Sequence, residues 1–269
     1  MTHIDDTILA GKHHIHFIGV GGSGMFPIVQ ILLSQGYAIS GSDNNPGETL
    51  DAEQAMGVTV YMGQRPENLK GAELVVYSAA IMEDNPELVA ARQMGVPVVE
   101  RSEMLGLLTR HYSDCICVSG THGKTTTTAM LTQILYGAGL DPTAVIGGKL
   151  PAIGGSGRAG SSSIMTCEAC EFVDTFLHLA PDYAVILNVD ADHLDYFGTL
   201  ENIIKSFHKF AGMATKAILY NGDDPNTCKA VEGLAQPKTT FGWKEDNDFY
   251  PANIVQKGEL QDKGVVAKM

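Results

Sequence analysis

Two α/β units in succession, each built on a parallel sheet, are what the sequence predicts, and three observations carry that expectation. Short apolar runs of four to six residues recur between amphipathic stretches, the pattern of strands buried on both faces and joined by helices. Two glycine-rich turns, at 19–24 and 120–126, each lie between such a strand and a helix. The 269 residues exceed one typical domain, and a polar stretch at 109–114 breaks the pattern, so units of 1–110 and 111–269 are expected.

In order, the first unit reads as strand 14–18, helix 22–35, strand 37–40, helix 49–56, and strands 58–61 and 74–78. Helix 86–94, strand 97–99 and helix 102–110 complete it. Asn85 before Pro86 is a cap followed by an N1 proline, and Gly95 stops the same helix. The second unit begins with strand 115–118 and helix 124–137. A Gly/Ser-rich loop follows at 147–162, then strands 163–166 and 183–187, helix 200–210 and strand 217–220. Beyond Pro225 a short helix and strands near 239–241 and 253–255 are expected. No closing element precedes Met269, so the second unit is expected to be incomplete.

Composition narrows the function. Apolar residues make up 44% and charged ones 18%, which excludes a disordered chain, and no apolar run approaches the roughly 18 residues that span a bilayer. The first twelve residues lack the cationic-then-apolar layout of a secretory signal, so a cytoplasmic location is expected. A formal charge of −13 argues against nucleic acid as a partner. Any anionic ligand must be held by local devices. Five cysteines, in the pairs Cys115/Cys117 and Cys167/Cys170 plus Cys228, fit reduced, packed thiols better than zinc ligands.

The first turn, Gly19-Val20-Gly21-Gly22-Ser23-Gly24, marks the first unit as Rossmann-like. Its glycines let backbone amides and a helix N-terminus approach a diphosphate. Asp43, about twenty residues on at the end of the second strand, is placed to accept from ribose or base donors. The second turn, Ser119-Gly120-Thr121-His122-Gly123-Lys124-Thr125-Thr126, is a P-loop one step shorter than the usual spacing, because Val118 stands where a leading glycine would be. Lys124 suits terminal phosphates and the Thr125 hydroxyl suits Mg²⁺, which makes this an ATP site. Glu168 and Glu171 after one strand, and Asp190, Asp192, His193 and Asp195 after another, emerge at strand carboxyl ends. Open α/β sheets bind ligands at that edge, and these residues are candidates for completing a magnesium site.

Together these residues resemble the Mur ligases of peptidoglycan synthesis, most nearly the alanine-adding branch. The resemblance runs through 16–25, 40–43, 78–81, 85–87, 101–105, 120–126, 168–171 and 188–195. It implies UDP-N-acetylmuramate bound by the first unit through Gly19, Gly21, Gly22, Ser23, Gly24, Asp43 and Ser78. It implies ATP bound by the second through Gly120, Thr121, His122, Gly123, Lys124, Thr125 and Thr126. Lys124 and His193 would be catalytic, and Thr125, Glu171 and His193 would hold Mg²⁺. The implied reaction phosphorylates the muramate carboxylate to an acyl phosphate, which the amine of L-alanine then attacks. Relatives often carry Gly-His where this chain has Gly63-Gln64. Sister ligases place a carbamylated lysine where this chain has His208, beside Lys209, and no modification is expected here. The resemblance also implies a His-Asn-x-x-Asn segment and a third domain that the 269 residues do not contain, so a fragment is expected. A ligase that attaches a ready-made peptide to the same muramate, an NAD dehydrogenase and a non-catalytic UDP-sugar and ATP module are the alternatives.

Overall fold

Strand β1 (His14–Ile18) is apolar at Ile15, Phe17 and Ile18, all fully buried, and the first sheet is arranged around it. The computed structural model describes residues 4–252, 255–257 and 264–266. Helix α1 (Phe26–Ser34) returns the chain to β2 (Ala38–Asp43), and α2 (Glu48–Ala55) to β3 (Thr59–Met62). Then come β4 (Leu74–Tyr77), α3 (Pro86–Gln93), β5 (Val98–Glu100) and α4 (Arg101–Thr109). The five strands are all parallel in the order β3-β2-β1-β4-β5. The order reverses beside β1, and that reversal opens a crevice at the carboxyl ends of β1 and β4.

The second sheet is mixed. It contains β6 (Asp114–Ser119), β7 (Thr143–Leu150), β8 (Gly155–Arg158), β9 (Ile164–Glu168), β10 (Tyr183–Ile186), β11 (Ala217–Asn221) and β12 (Lys238–Phe241). Helix α5 (Lys124–Gly137) follows β6, α6 (Leu194–Phe197) and α7 (Leu200–Gly212) lie between β10 and β11, and α8 (Pro225–Val231) precedes β12. The strand order is β12-β11-β10-β6-β9-β7-β8, parallel throughout except for the β7–β8 pair. Helix α7 shows the sequence logic plainly. Thr199 caps it through Asn202 N, and Ile203, Ile204, Phe207, Phe210 and Ala211 form one buried stripe in which Phe210 stacks on Phe176 with ring centroids 4.7 Å apart. A small antiparallel pair, β13 (Val255–Lys257) and β14 (Gly264–Val266), completes the described residues. Of the strand expected at 253–255, only Val255 is among them.

Two expectations are corrected. The helix after the first turn starts at Phe26, not Gly22. Residues 19–25 form successive turns in which Gly22 O accepts from Met25 N and Phe26 N, and Pro27 sits at the first positions of the helix, where its missing N–H costs nothing. The loop expected at 147–162 holds the end of β7 and all of β8. Glycines disguised these strands, and packing explains them. A Cβ on Gly157 would stand 2.5 Å from the Pro27 Cβ, and one on Gly155 would stand 3.2 Å from the Phe26 ring. Helix α1 of the first sheet therefore rests on a hairpin of the second.

The two sheets share one core. Ile15, Phe17 and Leu32 belong to the same connected cluster as Cys117, Phe176 and Phe207. Ala180 N donates to Thr109 Oγ1 at 3.0 Å, and Arg110 Nη2 reaches both Ile4 O (2.6 Å) and Asp6 (2.8 Å). Cys115, Cys117 and Cys167 are buried in the second sheet, and all five thiols are free. Burial and the neighbouring thiols push the Cys117 thiol well above its ordinary value, the Cys115 and Cys167 contacts most of all. Among the described residues no helix is long and apolar enough to cross a membrane.

Candidate functional site

Both glycine-rich turns stand at strand carboxyl ends. The first borders a cleft of about 600 Å³ lined by Gly19, Gly22, Asp43, Asn44, Gln64, Ser78 and Asn85, among others. Gly19 has φ 80° and Gly41 lets the turn close, since a Cβ there would strike Val20. The Asp43 carboxylate accepts from Gly21 N and from Asn45 N, each at 3.0 Å, so it braces the turn as well as facing the cleft. Of the residues expected to bind UDP-N-acetylmuramate, Gly19, Gly22, Asp43 and Ser78 line this cleft. Gly21 packs on Asp43 and Leu50, Gly24 packs on Arg101, and Ser23 lines a second crevice.

A buried polar network underlies the first cleft, and the motifs did not reveal it. Glu87, at the start of α3, is fully buried and accepts from Arg65 N (3.1 Å), Asn68 Nδ2 (2.6 Å) and Ser42 Oγ. Buried His16 lies 3.6 Å from the same carboxylate and shares Ser40 Oγ with His14. Burial raises the Glu87 pKa, but His16, Ser42 and Asn68 outweigh it and hold the carboxyl below its ordinary value. Gln64 Oε1 accepts from Asn85 Nδ2 at 2.6 Å, and both residues line the rim. Behind Asp43, Glu53 is fully buried with neither carboxylate oxygen hydrogen-bonded. Burial first, and the Asp43 charge second, push its pKa up to about 8. Its position three residues after buried Leu50, on the same face of α2, is its sequence trace.

The second turn is closed on itself. Gly120 (φ 139°) and Gly123 (φ 85°) bend the backbone in a conformation that favours glycine, and a Cβ on Gly120 would also stand 3.0 Å from the Leu187 Cβ. Lys124 Nζ donates to Gly120 O (2.7 Å), Thr121 O (3.2 Å) and Glu171 Oε1 (3.1 Å). Glu171 Oε2 lies 2.8 Å from the same ammonium without hydrogen-bond alignment, and the residue is 2% exposed. Thr125 Oγ1 donates to Glu168 Oε1 (2.9 Å), and Glu168 Oε2 accepts from Gly147 N (2.7 Å). Glu168, not Glu171, is therefore the partner of Thr125. Asn188 clamps the loop from β10: His122 N donates to its Oδ1 (2.7 Å) and its Nδ2 donates to His122 O (2.9 Å). Thr121 Oγ1 accepts from Asp190 N at 2.9 Å.

His193 sits across from the Glu171 loop. Its ring meets Phe172 with centroids 4.7 Å apart, and its backbone is left-handed (φ 51°), as are Val173 and Asp174 (φ 53° and 58°). Non-glycine residues seldom adopt that conformation, and strain of this kind concentrates at functional sites. Tyr196 OH, one helical turn on, donates to Asp174 Oδ2 at 2.9 Å and ties the two segments. Among the described residues no three His, Cys, Asp or Glu side chains gather as a metal cluster. The oxygens of Thr125, Glu168 and Glu171 nonetheless form the hard-donor set that Mg²⁺ takes together with water and phosphate, and buried Glu171 Oε2 lacks an aligned donor. His208 is used elsewhere, with Nδ1 2.9 Å from Ala230 O.

A crevice of about 460 Å³ runs from Ser23 of the first turn to Gly147 and Gly148 of β7. Ser23, Phe26, Glu48 and Thr49 form one wall, Gly147, Gly148, Lys149 and Ser156 the other, and Lys149 Nζ meets Glu48 at 2.7 Å. Through Gly147 it adjoins Glu168.

Comparison with known proteins follows the two sheets. Residues 14–113 match the Mur ligase family, catalytic domain, and residues 118–267 match the Mur ligase middle domain. A UDP-N-acetylmuramate–L-alanine ligase of Agathobacter rectalis is 43% identical over 244 residues, covering 90% of this chain and 53% of the relative. One from Legionella pneumophila is 41% identical over 259 residues, 94% and 54% respectively. The chain spans about half the length of the curated relatives it matches. Among solved structures, a UDP-N-acetylmuramate–alanine ligase of Thermotoga maritima superposes with TM-score 0.79 at 27% identity, covering 90% of this chain and 55% of that one. A UDP-N-acetylmuramate:L-alanyl-γ-D-glutamyl-meso-diaminopimelate ligase of Neisseria meningitides gives 0.80 at 27%, covering 96% and 85%.

Proposed function

The chain belongs to the Mur ligase family, and from that premise we propose that it carries the two nucleotide sites of an ATP-dependent UDP-N-acetylmuramate–L-alanine ligase of cytoplasmic peptidoglycan synthesis. Residues 1–110 take the UDP-muramate and 111–269 take ATP. One observation carries the reading: Lys124 and Thr125 are paired with Glu171 and Glu168 beside a crevice that leads back to the first glycine turn.

In this reading the amides of Gly19, Gly21, Gly22, Ser23 and Gly24 approach the UDP diphosphate, with Asp43 and Ser78 at the rim. The muramate arm follows the crevice toward Glu168. The backbone amides from Gly120 to Thr126, His122 included, cradle the ATP phosphates. Lys124 exchanges its carbonyl partners for the γ-phosphoryl oxygens, whose developing charge it offsets. A muramate carboxylate oxygen attacks the γ-phosphorus and ADP leaves, forming the acyl phosphate. The amine of L-alanine then attacks the carbonyl carbon, loses a proton, and expels phosphate. Thr125, Glu168 and Glu171 would hold Mg²⁺ on the ATP side and His193 a second ion near the acyl phosphate. Bound there, the metal screens the repulsion between carboxylate and phosphate. The resemblance to the Neisseria ligase favours a second reading, in which the acceptor is a ready-made peptide. The 41–43% identity to alanine ligases favours the first.

Calorimetric titration with UDP-N-acetylmuramate, Mg-ATP and NAD in turn tests the assignment. Saturable binding of the first two with silent NAD is expected. NAD binding with silent UDP-muramate would return the first turn to a dehydrogenase role.

A further inference from the structure

Two segments play no part in the chemistry above: His14-Ile15-His16 in β1 and Ser40-Gly41-Ser42 in β2. Alternate residues of a strand share a face, and the register sets His16 opposite Ser40 and Ile18 opposite Ser42. On that face Ile18 and Val75 pack against Leu88 and Ala91 of α3, so two histidines and two serines form a polar stripe in an apolar layer. Resting on the reading of the first cleft as a nucleoside-diphosphate site, we propose that this stripe is a proton relay that charges His16 when the anionic ligand binds, so that binding takes up a proton.

The hydrogen bonds fix the starting state. Ser40 Oγ lies 2.8 Å from His14 Nε2 and 2.8 Å from His16 Nδ1. One hydroxyl proton cannot serve both rings, so Ser40 donates to one and accepts from the other. His16 Nε2 is 3.6 Å from the Glu87 carboxylate, and a bare lone pair there would face an anion. His16 therefore keeps its proton on Nε2 and accepts from Ser40 at Nδ1, and His14 Nε2–H donates to Ser40. His16 is fully buried, whereas His14 is half-buried beside Gly71. A proton from water joins His14 Nδ1, the Nε2 proton passes to Ser40 Oγ, and the hydroxyl proton moves to His16 Nδ1. His14 ends neutral, Ser40 keeps one proton, and His16 becomes an imidazolium facing Glu87.

Charge draws the proton inward. Among the described residues His16 is the one basic side chain that pairs with Glu87. Arg65 gives that carboxylate only its backbone N–H and turns its guanidinium to Met62 O. The other titratable groups around the stripe are Tyr61, whose ring centroid is 6.3 Å from that of His16, and Glu73 and His13 at the outer end beside His14. Ser42 links the pair to the ligand. Its hydroxyl donates to Glu87, and its carbonyl accepts from Gly19 N (2.8 Å) and Val20 N (3.1 Å) of the glycine turn. An uncompensated carboxylate behind that turn repels a diphosphate, and a paired one does not. Proton and ligand therefore favour each other, and affinity rises as pH falls through the range in which histidines titrate.

Calorimetric titration of the full chain with UDP-N-acetylmuramate, whose esterified diphosphate does not titrate in that range, tests the relay. Buffers of different ionisation enthalpy count the protons taken up. Glu53→Gln is the background throughout, because Glu53 titrates near the same range. Net proton uptake is expected, with binding about fivefold tighter at about pH 6 than at about pH 8. His16→Gln, which keeps a neutral donor toward Glu87, should still bind but lose both the uptake and the pH dependence. Ser40→Ala, which takes the acceptor from the imidazolium, should shrink both. Nitrogen NMR of the His16 ring needs no variant at that position: a neutral Nε2–H ring in the free chain and a doubly protonated one in the complex are expected. Binding without proton uptake, uptake unchanged in His16→Gln, or a ring that stays neutral in the complex overturns the relay and leaves the cleft assignment standing. Absence of UDP-N-acetylmuramate binding at every pH overturns both.

Discussion

Around the first glycine-rich turn the chain leaves an open cleft of about 600 Å³, rimmed by Asp43, Asp84 and neutral polar groups and backed by the buried carboxyl groups of Glu53 and Glu87. Around the second, Lys124 fills its own loop, bonded to two loop carbonyls and to Glu171. Both turns sit at the carboxyl edge of a sheet, and both use glycine to expose amides. The difference lies in where the compensating charge is kept. The first site is preformed because its ionic network is buried behind it. The second holds a cation already in contact with an anion, so the phosphate proposed to bind there would have to displace Glu171 or the loop carbonyls from Lys124.

Four experiments probe that contrast, beginning with the one of greatest consequence. Lys124→Ala should cost Mg-ATP binding about a thousandfold, roughly 4 kcal/mol, because a desolvated charge-assisted contact is lost, and leave UDP-N-acetylmuramate binding unchanged by calorimetry. Equal loss of both ligands would refute two separate sites. Glu87→Ala should destabilise the fold by about 3 kcal/mol in urea denaturation, since Ser42, Asn68 and Arg65 N lose their acceptor. A cost below ~1 kcal/mol would show that the buried network does not support the first cleft.

The third experiment sets the two buried glutamates against each other. Glu87 has a lowered pKa in the folded state, so the stability it contributes is present above its ordinary value of 4.5 and is lost as pH falls through the folded value. Glu53 has the opposite sign. Its folded pKa of about 8 lies above 4.5, so stability is fully present below 4.5 and declines as pH rises toward 8. Glu53→Gln should remove that decline and stabilise the chain by about 2 kcal/mol at pH 8, measured by urea denaturation across pH 5 to 8. Identical pH slopes in the two proteins would rule out a protonated Glu53. Last, Asp43→Ala should weaken UDP-N-acetylmuramate about tenfold, roughly 1.4 kcal/mol, through lost bracing of Gly21, with ATP binding untouched. A drop in ATP binding instead would reverse the assignment of the two turns.

Much of this architecture was legible in the order of residues, for local reasons. The apolar runs at 14–18, 74–78 and 183–187 became strands β1, β4 and β10, and helix Lys124–Gly137 begins at the lysine of its turn, because strand burial and helix starts depend on neighbours in sequence. Asn85 caps α3 through Glu87 N and Leu88 N, as its place before Pro86 implied. The candidate residues at strand ends were legible for the same reason: a turn of glycines, a lysine and a hydroxyl are contiguous, and so is the function they suggest.

Tertiary structure decided the rest. The end of β7 and all of β8 read as loop because Gly147, Gly148, Gly155 and Gly157 suppress the local strand signal, and only packing explains why side chains are absent there: Glu168 and Thr125 crowd the first two, Phe26 and Pro27 of α1 the last two. The pairing of Thr125 with Glu168 rather than Glu171 arises 43 residues apart in sequence, from the register of β6 on β9. The raised pKa of Glu53 and the lowered one of Glu87 come from opposite surroundings of the same side chain, one stripped of donors and the other given three. By itself the sequence determined which strands and turns exist and which groups they offer. Which carboxylate faces which cation was left to long-range packing, since electrostatic pairing depends on distance in space and not along the chain.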